Sequence, residues 1–228
     1  MVEGNTFLPI SINLIEAIRD MRYLLSRGYK RELAVNFIAN RYMLSKDEKA
    51  ILYRAVYSKL QAAEHKRKIV SPTHIKGKKV AVDGFNVLIT IESALMGKKI
   101  FLCDDGFIRD TSAIFGKYKF SNLTKLSLEL TLNFLKKYKP KFIAFFFDSP
   151  ISKSGEIAGL TRFLLKKHGI PGDAKAIKQV DKAVIEQGEI VASSDHIIIE
   201  RAKHVLDLAG EIIKEKYPQL IIDLNKVK

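Results

Sequence analysis

Four short apolar runs in this chain each end on an aspartate: Lys79-Val80-Ala81-Val82-Asp83, Phe142-Ile143-Ala144-Phe145-Phe146-Phe147-Asp148, Ala176-Ile177-Lys178-Gln179-Val180-Asp181 and Ile190-Val191-Ala192-Ser193-Ser194-Asp195. If these runs are neighbouring parallel strands, their carboxyl ends share the sheet edge at which open α/β sheets place their ligands. Carboxylates gathered there repel one another unless a divalent cation sits among them. The pattern therefore predicts a magnesium or manganese site. Asp83, Asp148, Asp181 and Asp195 are its candidate ligands, and Asp83, Asp148 and Asp195 its candidate catalytic acids. Asp181 fits least well, because Lys178 and Gln179 interrupt its strand. Aspartate is also common after strands as a turn or cap former. Each acid alone reads equally as a helix cap, and it is their number in one sheet that points to a cation.

The neighbouring residues narrow the chemistry. Gly84 in Asp83-Gly84-Phe85-Asn86 permits a sharp turn off the strand, and Asn86 falls near the start of the next helix. No glycine triplet follows, as a dinucleotide site would want, and Phe85 stands where a phosphoryl-transferring aspartate pair would need its second acid. Ser152-Lys153-Ser154-Gly155-Glu156 is a small-residue loop entering a helix, whose N–H groups could hold a phosphate. An ordinary N-cap by Ser152 or Ser154 is the alternative. A second polar cluster, Asp104-Asp105-Gly106-Phe107-Ile108-Arg109-Asp110, combines turn chemistry at Asp105-Gly106 with a guanidinium that could reach phosphate. Asn86, Arg109, Ser154 and Ser193 are thus the candidate groups for positioning substrate or ligands. The five histidines lack zinc-ligand spacing, and no serine lies in a nucleophile-elbow pattern.

These residues need a scaffold, and the composition allows one. The 228 residues are 47% hydrophobic, enough for a sizeable α/β body and a smaller accessory part. Net charge is +14 and the pI about 9.7. Residues 1–76 carry 14 basic and 7 acidic side chains, the remainder 25 and 18. This excess concentrates polyanions such as nucleic acids, although a lysine-rich solvated surface has the same composition. A lone Cys103 excludes an internal disulfide framework. No apolar run reaches the ~18 residues of a membrane span. The first residues do not read as a signal peptide, so a cytoplasmic location is expected.

Apolar periodicity predicts three helices in the first part: one around Ile12–Leu25 ending at Gly28, one from Lys30 to Asn40 with Leu33, Phe37 and Ile38 inward, and one running through Leu60. The last opens with a capping box, Ser45 to Glu48. A helix-turn-helix-like DNA-binding head, a packing cap and a homodimer contact are all open to such a module. Arg41, Arg54 and His65-Lys66-Arg67-Lys68 are its candidate phosphate contacts. Ser71-Pro72-Thr73 and Gly77-Lys78-Lys79 mark a boundary, giving a helical domain at 1–70 and a second domain at 71–228. There, strand and helix signals alternate. A hairpin is expected around Asp104-Asp105-Gly106, helices over 123–138, 156–168 and 195–215, and a last strand at Leu220-Ile221-Ile222 closing the sheet. The reading is α/β, a mainly parallel doubly wound sheet behind an all-α N-terminal domain.

At the acidic motifs the chain resembles a PIN-like nuclease domain of the NYN type. Val82-Asp83-Gly84-Phe85-Asn86 resembles the first acidic motif, Phe147-Asp148 the mid-domain strand end, and Ala192-Ser193-Ser194-Asp195 the late strand–Ser/Thr–x–Asp motif. The match covers roughly 77–225, and the whole chain is similar to a prokaryotic family that pairs a small helical domain with this part. The resemblance implies a flavodoxin-like core and a metal-dependent endoribonuclease that hydrolyses phosphodiester bonds with Mg²⁺ or Mn²⁺. It implies further that Gly106–Asp110 and Ser152–Glu156 belong to the site, with Asp181, or else Asp173, as the remaining acid. An incomplete acid set would instead leave a silent module that binds RNA or protein.

Overall fold

Strand β1 (Lys79–Asp83) lies in the middle of a five-stranded sheet, and every pairing in that sheet is parallel. The computed structural model describes residues 10–111 and 118–227. β4 (Phe142–Asp148) and then β5 (Gly172–Ile177) lie on one side of β1, β6 (Ile190–Ala192) and then β7 (Val205–Leu206) on the other. Numbered along the chain, the spatial order is 3-2-1-4-5, rather than the 2-1-3-4-5 of flavodoxin itself. Its direction reverses between β1 and β6. That reversal opens a crevice at the carboxyl ends of these two strands.

The two faces of the sheet follow from the two-residue period of its strands. Val80, Val82, Ile143, Phe145 and Phe147 pack in a core with residues of α5 (Gly84–Leu95), α6 (Asn122–Lys137), α7 (Ser154–His168) and α10 (Leu208–Lys216). Ala81, Ala144, Phe146 and Val191 face the other way, onto α8 (Val180–Gln187) and α9 (His196–Arg201). Asp83 has the parity of Ala81, and Asp148 that of Ala144 and Phe146. Both acids are therefore directed to the α8–α9 side. Burial of both faces explains why β4 reads as an unbroken apolar run.

A second, small sheet corrects the expected end of the chain. β8 (Ile221–Asp223) does not close the main sheet. It pairs parallel with β2 (Ile100–Leu102), which pairs antiparallel with β3 (Ile108–Asp110) around the predicted hairpin. Ile100 and Ile108 face α5 and α10, whereas Phe101 and Ile222 face the N-terminal helices. The helices thus share a core with the hairpin and the C-terminal segment.

These helices are α1 (Ile12–Ser26), α2 (Arg31–Arg41), α3 (Lys46–Ala55) and α4 (Lys59–Lys68). Gly28, at φ +82°, follows the end of α1 as the reading required, and the Ser45–Glu48 capping box forms in full. The third predicted helix, however, breaks after Ala55. Ser58 caps α4 by accepting from Gln61 N at 3.2 Å, a Ser-x-x-Gln spacing that could have been read. The freed backbone at the break bonds the hairpin, with Asp104 N donating to Ala55 O and Tyr57 N to Asp104 Oδ2. In α2 the expected inward face holds at Ile38 and fails at Leu33 and Phe37. Ala34, Val35, Ile38 and Ala39 are buried, while Leu33 and Phe37 are about two-thirds exposed. Both stripes satisfy the helical period, so periodicity alone does not choose between them. The helix expected over 195–215 is also divided. Val205–Leu206 leave it to pair with β6, and α10 begins afresh, capped by Asp207. Among the described residues no helix is long and apolar enough to cross a membrane.

Candidate functional site

Strand register assembles the centre of the site. Val82 pairs with Ala192, so the next residues, Asp83 and Ser193, emerge side by side at the crevice. Ser193 Oγ donates to Asp83 Oδ2 at 3.0 Å and accepts from Asp195 N at 3.1 Å. Asn86, in the first turn of α5, accepts from Ser194 N at 2.8 Å and from Ser194 Oγ at 3.1 Å through Oδ1. The β1–α5 and β6–α9 junctions are thereby fastened together. Gly84 has a different role from the one its sequence suggested. Its φ is negative, and a Cβ there would lie 2.2 Å from the Phe147 ring, so glycine is required by close approach of α5 to β4.

Asp195 caps α9, accepting from Ile197 N at 2.8 Å, so its cap and site readings coexist. Asp181 is not at a strand end. β5 stops at Ile177, and Asp181 occupies the first turn of α8, which brings it to the same edge by another route. Asp173 lies in the amino-terminal half of β5, opposite Ala144, and drops out. Ser154 is buried at the start of α7, its Oγ 3.3 Å from Ser149 O. Neither it nor Ser152 is the N-cap. That position is Lys153, in the left-handed region at φ +65° and without a side-chain cap bond.

The four carboxylates sense one another around a ring. Burial, foremost, and the charges of Asp195 and Asp148 push the Asp83 carboxyl up to about 7, against hydrogen bonds from Ser193 and the Asn86 backbone. Burial and then Asp181 raise Asp148, and burial and then Asp195 raise Asp181, which Arg201 partly offsets. Among the described residues no lysine, arginine or histidine forms a salt bridge with any of the four. The donors are all hard oxygens, which suit magnesium or manganese better than zinc. Yet among the described residues no group of three or more His, Cys, Asp or Glu side chains converges closely enough to hold a metal ion. The set therefore fits cations held by one or two carboxylates each, with water and substrate oxygens completing the shell, as is usual for magnesium. It does not fit a closed protein cage.

The second polar cluster is built differently. The Arg109 guanidinium forms a bidentate pair with Asp105, both contacts at 2.8 Å, and Nε donates to Ser194 O at 2.7 Å, all of it buried. This corrects the expectation of a phosphate ligand. Arg109 is a positioning residue that holds the Ser193–Asp195 turn from behind. His65 Nδ1 lies 2.9 Å from Asp105, Arg22 grips Asp104, and Arg54 and Thr90 reach Asp110. These contacts fasten the N-terminal helices to the hairpin.

A family model described as "Domain of unknown function (DUF5616)" matches residues 72–211, and another, "Protein of unknown function (DUF434)", matches residues 13–68. The chain belongs to the DUF5616 family. It is similar to an uncharacterized protein of Methanocaldococcus jannaschii, MJ0935, at 38% identity over 205 residues, covering 89% of this chain and 98% of that protein. No solved structure matches.

The structure of this DUF5616 chain also brings forward residues that sequence reasoning passed over. A groove of about 670 Å³ runs between α2–α3 and the site, meeting it at Asn86 and Asp195. Its walls include Lys46, Lys49, Tyr53 and His196. The His196 imidazole, lowered from its ordinary value by burial, meets the Tyr53 ring edge-on at 6.3 Å. No spacing along the chain links these residues, since they lie in α3 and at the start of α9.

Proposed function

We propose that this protein is a magnesium- or manganese-dependent ribonuclease that hydrolyses phosphodiester bonds in RNA at the carboxyl edge of its parallel sheet. The observation that carries the reading is the set of neighbouring carboxylates at the switch point, which raise one another's pKa values and have no salt-bridge partner among the described residues. Such an arrangement is costly to keep empty of cations, because the charges of Asp83, Asp148 and Asp181 are disfavoured by desolvation and by a neighbouring acid. A divalent ion bound there supplies Lewis-acid chemistry, lowering the pKa of water and offsetting charge on the phosphate. The chain's own contribution is positional. Asp83 is held by Ser193, Asp195 by the first turn of α9, and the turn between them by Asn86 and Arg109. The resemblance of these motifs to PIN-like nucleases, and the net charge of +14, agree with a polyanionic substrate.

A second reading, a silent module that binds RNA without cutting it, is favoured by one observation: no three of the acids converge among the described residues. Cleavage of single-stranded and structured RNA with Mn²⁺, beside an Asp83→Asn plus Asp148→Asn variant, separates the two. Metal-dependent cleavage lost in the variant is the expected result. Equal activity in both proteins ends the nuclease reading, and no cleavage by either leaves only the silent module.

A further inference from the structure

We propose that the groove between α2–α3 and the sheet edge seats a single-stranded segment of RNA, with its phosphates on Lys46 and Lys49 and a base against Tyr53. The inference rests on the nuclease reading for its choice of RNA, but its evidence is separate. Lys46 and Lys49 project from α3 into the groove wall, exposed, and neither forms an ion pair among the described residues. Arg54, on the same helix, is already engaged by Asp110 at 3.3 Å. Of the acids in the lining, Asp110 is neutralised by Arg54, Asp195 belongs to the sheet edge, and Glu32 comes from α2. Unpaired positive charge is thus set on α3, and Asp195 brings negative charge at the sheet edge. A polyanion reaching the edge would meet two lysines along its flank, against the one acid that the helices add to the lining, Glu32, before it met Asp195 where a cation would screen it.

The lining between these charges is largely apolar, from Val35, Ile89 and Ile197, with Tyr53 a third exposed and backed by His196. A duplex presents phosphates and hides its base faces, so it has no use for such a wall. Unpaired bases do, because every base has a π-face that stacks on an aromatic ring. A volume of about 670 Å³ suits a nucleotide or two rather than a duplex. The N-terminal helices are accordingly half of the substrate site.

The test is fluorescence anisotropy with a labelled oligouridylate of about 12 nucleotides, in EDTA so that binding is read apart from cleavage. Lys46→Ala plus Lys49→Ala should weaken binding and lower the slope of log K against log salt by about 1.4, the value for two lost phosphate contacts on a single strand. Tyr53→Ala should weaken binding roughly tenfold, and Tyr53→Phe should restore it. An unchanged salt slope, or equal affinity for Tyr53→Ala and parent, overturns the proposal. So does duplex RNA or a deoxy-oligomer competing as well as the single-stranded RNA. Binding that follows these residues in a protein that never cleaves would sustain the groove while the nuclease reading fails. Cleavage that is indifferent to them would do the reverse.

Discussion

The molecule contains two clusters of aspartates about which the sequence says similar things and the structure opposite ones. Asp104, Asp105 and Asp110, in the hairpin, are each matched by a cation: Arg22 of α1, Arg109 of the hairpin itself with His65 of α4, and Arg54 of α3. Burial alone would raise the Asp105 carboxyl, but Arg109 and the His65 hydrogen bond hold it well below the usual carboxylate range. Asp83, Asp148, Asp181 and Asp195, at the sheet edge, have no such matches among the described residues, and Asp83 is pushed up to about 7. Buried charge that is compensated on the spot holds parts together. Charge left uncompensated at such an edge, buried at Asp83 and partly buried at Asp148 and Asp195, is expensive, and its expense makes sense if something outside the chain supplies the opposite sign.

The comparison predicts opposite consequences for the same substitution. Asp105→Asn leaves Arg109 buried without its anion and should cost about 3–5 kcal/mol of stability, read from urea unfolding. A loss below about 1 kcal/mol would mean that the hairpin cluster is not the joint described here. Asp83→Asn should behave in reverse, leaving metal-free stability equal to or above the parent's while lowering cleavage by more than about 100-fold. A variant that unfolds as readily as Asp105→Asn would erase the distinction between the clusters.

Cations should divide the clusters too. Mn²⁺ at about 100 times its Kd should stabilise the parent by about 2.7 kcal/mol and leave Asp83→Asn plus Asp148→Asn unchanged, by thermal melting. Equal stabilisation of both proteins would place the ion elsewhere. The smallest effect is on pH dependence in metal-free buffer. Asp83 has a folded pKa of about 7 against an unfolded value of about 3.9, so the folded chain binds its proton more tightly. That contribution is complete below about pH 4 and is lost as pH rises through about 7. Asp105, lowered by its partners, acts oppositely, stabilising above the unfolded value and losing this as pH falls through its depressed pKa. The urea midpoint of the parent should therefore decline between about pH 5 and 7.5, and less steeply in Asp83→Asn. An identical decline would show that another group titrates there.

Much of the site was legible because strand ends announce themselves. Runs such as Phe142–Asp148 are apolar since both sheet faces are covered, and the polar residue that follows must lie at the edge. Asp83, Asp148 and Ser193 stand at that edge for this reason. Asp181 reaches the edge from the first turn of a helix, where the sequence predicts a strand. Arg109 was misjudged because a guanidinium after an apolar run looks the same whether its anion is a substrate or Asp105. Lys46, Lys49, Tyr53 and His196 were invisible, because they become neighbours only when α3 is laid across the start of α9.

By itself the sequence determined the local grammar: the capping box at Ser45, the glycine ending α1, the alternation of strand and helix, and the acids at the strand ends. These depend on backbone conformation and on side chains a few residues apart, information that the chain carries in order. Which aspartates are neutralised, which face α2 buries and where the groove opens were decided only by the tertiary structure. Coulomb attraction and desolvation depend on distance and burial between residues remote in the chain, and neither quantity exists until the layers are packed.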